Sequence, residues 1–154
     1  MIRSAAKAIV IRNGNVLLNR CVGFRGDVYY DLPGGGQKEF ETLEETLVRE
    51  CLEETGYRVR PVRFAALVEE IYDDEELRRR YADYAHRILH IFIAELVDDA
   101  VHEATEMDFQ QEECQWISVD DIPSMNVRPN PLSRRFREIV ASATPVYLGT
   151  VRFV

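Results

Sequence analysis

Cysteine is scarce in this sequence, a basic excess is absent, and no apolar run approaches the length of a membrane span. Cys21, Cys51 and Cys114 are odd in number and scattered. They show neither a disulfide framework nor the spacing of a thiolate metal site, which reads as reduced core thiols in a cytoplasmic protein. The formal net charge of -8 argues against nucleic acid as the main partner. The opening Met1-Ile2-Arg3-Ser4-Ala5-Ala6-Lys7 offers no apolar leader, so neither a membrane partner nor export is expected. Internal repeats and low-complexity stretches are also missing, and the only proline-rich stretch, Asn126 to Pro131, reads as a loop.

What remains is 154 residues at 46% hydrophobic, enough for one core and hence one domain over residues 1–154. Ala5 to Ile11 and Val16 to Cys21 are β-rich runs joined by Asn13-Gly14-Asn15, whose tolerance of positive φ predicts a hairpin. Tyr29 to Leu32, Val59 to Ile71, Ile88 to Val97, Gln115 to Val119 and Val146 to Val154 read as further strands. Asp120 and Asp121 are expected to cap a short helical turn, and Leu132 to Ala141 to form a terminal helix. In the charged stretch Asp74 to His86, Asp74 with Arg78, Glu75 with Arg79 and Glu76 with Arg80 have the spacing of an exposed helix. Its three arginines read as a solvated face sooner than a phosphate clamp. Strands interspersed with one long helix and shorter ones predict an α/β fold, a mixed sheet covered by helices.

The long helix is the informative element. Thr42 followed by Glu45 makes a capping box, and Gly56 stands where a left-handed C-terminal cap is wanted, so the helix should run from Leu43 to Thr55. Leu43, Leu47, Val48, Cys51 and Leu52 draw one apolar stripe, leaving Glu50, Glu53 and Glu54 on the other side. Neighbouring carboxylates repel one another and call for a cation. Oxygen ligands suit a hard divalent ion, Mg2+ or Mn2+, whose usual substrate is a phosphate. A solvated acidic face is the ordinary reading of a glutamate-rich helix, but such a face needs no Gly34-Gly35-Gly36 before it.

The segment Gly35 to Tyr57 resembles the Nudix box: Gly, five residues, Glu, seven residues, Arg-Glu, apolar, any, Glu-Glu, any, Gly, apolar. Gly35, Glu41, Arg49, Glu50, Glu53, Glu54 and Gly56 fill its fixed slots, with Cys51 and Tyr57 in the apolar ones. Phe40 departs from it, since members often carry glycine there. The resemblance implies the Nudix α/β/α sandwich and a metal-dependent hydrolase, MutT-like, that cleaves the pyrophosphate bond of a nucleoside diphosphate linked to another group. By the same resemblance Glu53, Glu54 and the Gly34 carbonyl would hold the metal, and Glu50 would be a ligand or the base that takes a proton from water. Arg49 and Glu41 would hold the loop against the helix and orient the carboxylates. Glu113, with Glu112 in reserve, resembles the acid that approaches the metals from a distal loop.

Substrate contacts are less clearly written. Arg20 and Arg25 are candidates for a phosphate, Tyr30 or Phe24 for stacking on a base, and Gly35 and Gly36 for close backbone approach; core packing is the competing reading of the aromatics. His86 and His90 share a strand face and read as satisfied strand-end residues sooner than as a base. Tyr72 loosely resembles a tyrosine of members acting on dinucleoside polyphosphates. A nucleotide-type small molecule is therefore the expected partner. By analogy with the fold, a second copy would pair through a sheet edge or the final strand. The alternative is a catalytically silent Nudix module that binds such a ligand. An isoprenoid diphosphate isomerase would need a catalytic cysteine, a role that Cys51 on the apolar stripe cannot fill.

Overall fold

The computed structural model describes residues 1–107 and 110–154. Strand β1 (Arg3–Arg12) turns through Asn13 and Gly14, with φ of 50° and 75°, into β2 (Asn15–Val22). Then follow β3 (Val28–Asp31), β4 (Gly34–Gly36) and helix α1 (Leu43–Thr55). Next come β5 (Tyr57–Tyr72), α2 (Glu75–Arg80) and β6 (His86–Val101). The chain ends with β7 (Gln111–Ser118), β8 (Val127–Arg128), α3 (Asn130–Ala141) and β9 (Val146–Phe153).

The sheet is mixed, in the order β8-β3-β2-β1-β6-β5-β9, with β4 also paired to β1 and β7 to β2. The β1–β6 and β5–β9 pairs run parallel, whereas β1–β2 and β5–β6 run antiparallel. Alternation along β1 supplies both faces. Ala6, Ala8 and Val10 join Leu47 and Cys51 of α1 in one core cluster; Ala5 and Ile9 join Leu132, Phe136 and Ile139 of α3 in the other. Helices thus cover both faces of the sheet, the α/β/α sandwich that the resemblance implies. Among the described residues no helix is long and apolar enough to cross a membrane.

Three local expectations are corrected. The stretch 126–131 is more than a loop: Val127–Arg128 pairs parallel with β3, and α3 already starts at Asn130. The turn at 119–124 is capped by Ser118, whose Oγ accepts from Asp120 N, because Asp120 and Asp121 lie inside its first turn. Asp74 is spent as the N-cap of α2, its Oδ1 accepting from Leu77 N at 2.9 Å, and Arg78 reaches Asp73 at 3.4 Å instead.

Candidate active site

Helix α1 is fixed at both ends by its own sequence. Thr42 Oγ1 accepts from Glu45 N at 3.1 Å while Glu45 returns to Thr42 N at 2.8 Å, and Gly56 closes the helix at φ 75°. Leu47 and Cys51 are buried against the sheet, which turns Glu50, Glu53 and Glu54 toward β4 and the start of β1. Burial pushes the Cys51 thiol pKa up, so this cysteine is an inert core group.

Strand β4 brings the glycines against these acids. Gly34 has φ 132°, and a methyl group there would strike the Ala6 carbonyl of β1, so only glycine passes this point. At Gly35 a methyl would meet the Glu50 carboxylate. Gly34, Gly35 and Gly36 line a pocket of about 460 Å³ together with Glu50, Glu53 and Glu54. The same pocket is lined by Arg3, Lys7, Lys38 and Arg87, so cations face the acidic helix.

Arg49 organises the acidic wall. Its Nε and Nη2 donate to the two oxygens of Glu41 at 2.6 and 2.9 Å, and Nη2 also reaches the Gly36 carbonyl at 3.1 Å. Nη1 donates to Glu50 at 2.6 Å and to Glu53 at 3.2 Å. These bonds hold the Glu41 carboxyl down at about 2 and raise the Arg49 pKa further. Arg49 thus fastens the loop that carries Glu41 and Gly36 to the helix.

Glu54 is held differently. It is 5% exposed, and its Oε2 accepts from Asn19 Nδ2 at 2.9 Å and from Gly34 N at 3.0 Å. Gln111 Nε2 donates to Asn19 Oδ1 and to the Glu54 carbonyl, both at 3.2 Å. Lys7 is buried on β1 beside this network, donating to Asp31 at 3.0 Å and to the Leu32 carbonyl at 3.1 Å. Asn19 and Gln111, which buttress Glu54, and Lys7, which lines the pocket, are residues that sequence reasoning passed over. Their signal is faint but present: each is a polar residue at a buried position of a strand.

Among the described residues no three acidic, imidazole or thiol groups converge at metal-holding distance. Glu50 and Glu53 turn to Arg49 instead, so one guanidinium serves three carboxylates counting Glu41. The donor set is all oxygen and carries more negative charge than Arg49 offsets, which fits a hard divalent cation.

Other expected contacts fall elsewhere. Glu113 lies exposed on β7, accepts from Gln115 Nε2 at 2.6 Å and does not line the acidic pocket. The neighbouring Cys114 packs toward α1, so strand alternation sends Glu113 to the opposite side. Glu106 is the loop carboxylate that lines the pocket, its backbone N bonded to the Glu53 carbonyl at 3.1 Å. Arg20 pairs with Glu112 and lines neither this pocket nor its neighbour. Tyr30 packs against the α3-side core. His86, at the start of β6, meets Glu69 at 2.8 Å, and His90, inside the strand, meets the Ala5 carbonyl at 3.1 Å, each histidine with a bond made.

Beside the acidic pocket lies a second cavity of about 520 Å³, whose walls include Phe24, Arg25, Tyr29, Tyr72, Tyr81 and Tyr84. Phe24 stacks on Tyr81 with centroids 4.6 Å apart, and Arg80 stands over both rings. Tyr84 and Arg87 belong to the walls of both cavities.

The NUDIX domain family profile matches residues 1–138. A NUDIX hydrolase from Nitrosomonas europaea superposes with a TM-score of 0.70 at 18% identity, covering 91% of this chain and 88% of that one. A MutT protein from Bacillus halodurans superposes at 0.67 with 23% identity, covering 99% and 90%. An ADP-ribose pyrophosphatase from Streptococcus suis superposes at 0.62 with 16% identity, covering 99% and 98%. At such identities the likeness carries the fold and no substrate. Curated protein sequences give no match. With that profile over most of its length and the box residues assembled on α1 and β4, the chain belongs to the NUDIX family and carries the fold and the box of a Nudix hydrolase.

Proposed function

We propose that the protein hydrolyses the phosphoanhydride bond of a nucleoside diphosphate linked to another group, with Mg2+ or Mn2+. The observation that carries this reading is the division of one pocket into an acidic wall, Glu50, Glu53 and Glu54, and a basic one, Arg3, Lys7, Lys38 and Arg87. Such a pocket takes a cation and the polyphosphate anion together.

Glu53, Glu54, the Gly34 carbonyl and Glu50 would hold the ion, with Glu106 the additional carboxylate in place of Glu113. A divalent cation bound there would neutralise pyrophosphate oxygens and lower the pKa of the attacking water. Glu50 is either a ligand or the base that accepts that water's proton; its carboxylate lies against Gly35, within the same pocket. Arg49 keeps Glu50 and Glu53 in place and ties them to Glu41 in the preceding loop. The aromatic cavity, with Phe24 and Tyr81 stacked at its wall, suits a planar base, and Arg25 at the same wall suits an anionic group.

The test is a hydrolysis screen, with products separated by ion-exchange chromatography, in Mg2+ or Mn2+ against nucleoside triphosphates, nucleotide sugars, ADP-ribose and diadenosine polyphosphates, with Glu53→Gln alongside. Metal-dependent turnover of one class, reduced about 100-fold or more in the variant, is the expected result. Saturable binding without turnover would make the chain a nucleotide-binding module instead.

A further inference from the structure

Arg3 and Arg87 meet at the wall between the acidic pocket and the aromatic cavity, each at the N-terminal end of its strand. Strands β1 and β6 pair in parallel with Arg3 opposite Arg87. Both guanidinium groups stand over the Tyr84 ring, their Cζ atoms 4.9 and 5.5 Å from its centroid. Tyr84 and Arg87 line both cavities, and Arg3 lines the acidic one.

Neither arginine is fully matched. Among the described residues Arg3 has no carboxylate partner, and its guanidinium rests where a side chain at Gly36 would otherwise stand. Arg87 pairs with the buried Glu70, yet its Nε is buried and meets no acceptor. A buried donor without a partner costs about 1–3 kcal/mol, and two guanidinium groups gathered on one ring repel each other. The repulsion falls when an anion with several acceptor oxygens sits between their exposed ends. A phosphate does this better than a carboxylate, because it offers oxygens to two planar forks at once.

We propose that Arg3 and Arg87, held over Tyr84, form a phosphate clamp at the boundary of the two cavities, separate from the box carboxylates. The clamp binds the phosphate next to the one over the carboxylates, and the group attached beyond it enters the aromatic cavity. This deepens the hydrolase reading and rests on it for the identity of the anion as part of a pyrophosphate. Arg3 and Arg87 are positioning residues in this arrangement, and Gly36 is the residue that gives Arg3 its place.

The test reads binding without turnover. The methylene-bridged analogue of ADP and inorganic pyrophosphate are titrated into the protein in Mn2+ by calorimetry, using wild type, Arg3→Gln and Arg87→Lys. Mn2+ alone is titrated into each as a control. Both anions are expected to bind Arg3→Gln about 10-fold or more weakly, with Mn2+ affinity unchanged. Arg87→Lys keeps the charge beside Glu70 and so the fold, but loses the planar fork, and is expected to weaken both anions as well. If Arg3→Gln and Arg87→Lys bind both anions as the wild type does, the clamp is wrong. It is equally wrong if wild type binds neither anion at millimolar concentration, or if Mn2+ affinity falls in step with anion affinity. A protein that binds the anions through Arg3 but turns over no substrate in the hydrolysis screen would retain the clamp and lose the hydrolase.

Discussion

The Arg49 guanidinium meets Glu41 end to end, Nε to one carboxylate oxygen at 2.6 Å and Nη2 to the other at 2.9 Å. Thr46 Oγ1 and Lys38 N complete the shell around Glu41 at 3.0 and 3.1 Å. The loop before α1 is thus fastened to the helix by a forked, charge-assisted pair, and the carboxylates of Glu50 and Glu53 inherit their positions from the same guanidinium.

That pair sets a pH dependence. Arg49 and the other donors hold the Glu41 carboxyl at about 2, below its ordinary 4.5. A depressed carboxyl stabilises the folded state above the unfolded value and loses that contribution as pH falls toward the folded one. The stability gap between wild type and Glu41→Gln is therefore expected to be constant above about pH 5, to shrink between 4.5 and 2, and to vanish below. At pH 7 the variant should melt about 2–4 °C lower, the shift produced by about 1 kcal/mol in a chain of this size. Thermal melts of the two proteins across this range check it; a gap that persists at pH 2 would mean that Glu41 acts without its charge.

Phe40 occupies a left-handed position, φ 69°, with its ring fully exposed. The backbone explains why glycine is usual at this point of the box: a bulky side chain at positive φ costs about 1–2 kcal/mol, and here no packing offsets it. Phe40→Gly is expected to stabilise the protein by about 0.5–1 kcal/mol, reduced from that cost by the added freedom of the unfolded chain. Urea denaturation would show a raised midpoint with an unchanged slope, and a lowered midpoint would contradict it.

Asn19 links three elements, donating to Glu54 and accepting from Gln111. It is 3% exposed, so Asn19→Ala removes one hydrogen bond each from the Gln111 amide and the Glu54 carboxylate away from water. A loss of about 1–3 kcal/mol is expected by chemical denaturation. Weaker Mn2+ binding should accompany it, since a buried carboxylate released from its orienting donor is a poorer ligand. Unchanged Mn2+ affinity would show that Glu54 keeps its place without Asn19.

What the sequence made legible was local. The capping box at Thr42, the stop at Gly56 and the apolar stripe of α1 depend on residues within a few positions of one another, and the helix runs Leu43–Thr55 as those signals require. The hairpin at Asn13 and Gly14 is local too. Contacts across the sheet were not legible. Arg3 meets Arg87 only because β1 pairs in parallel with β6, a register that nothing in either strand announces. Gln111 reaches Glu54 because β7 slips past β2 at a bulge between Arg20 and Cys21. The same alternation turned Glu113 away from the acidic pocket, and a spacing rule outside a helix had no means to foresee it.

Gly34 and Gly35 are adjacent, yet their substitution should fail in different ways. At Gly34 the backbone is left-handed, φ 132°, and a methyl would meet the rigid Ala6 carbonyl of β1. Gly34→Ala must push β4 off β1, which takes with it the N–H that holds Glu54, so a loss of about 2–4 kcal/mol is expected. Gly35 has no left-handed backbone to defend, and the atoms nearest its methyl would be the tip of the Glu50 side chain, which can swing aside at the cost of its bond to Arg49. Gly35→Ala should then melt within about 1 kcal/mol of wild type while turnover drops about 10-fold or more, because Glu50 is displaced from the acidic wall. Denaturation curves and initial rates on both variants separate the two effects. Equal loss of stability in the pair would show that β4 tolerates neither methyl, and full activity in Gly35→Ala would remove Glu50 from the chemistry.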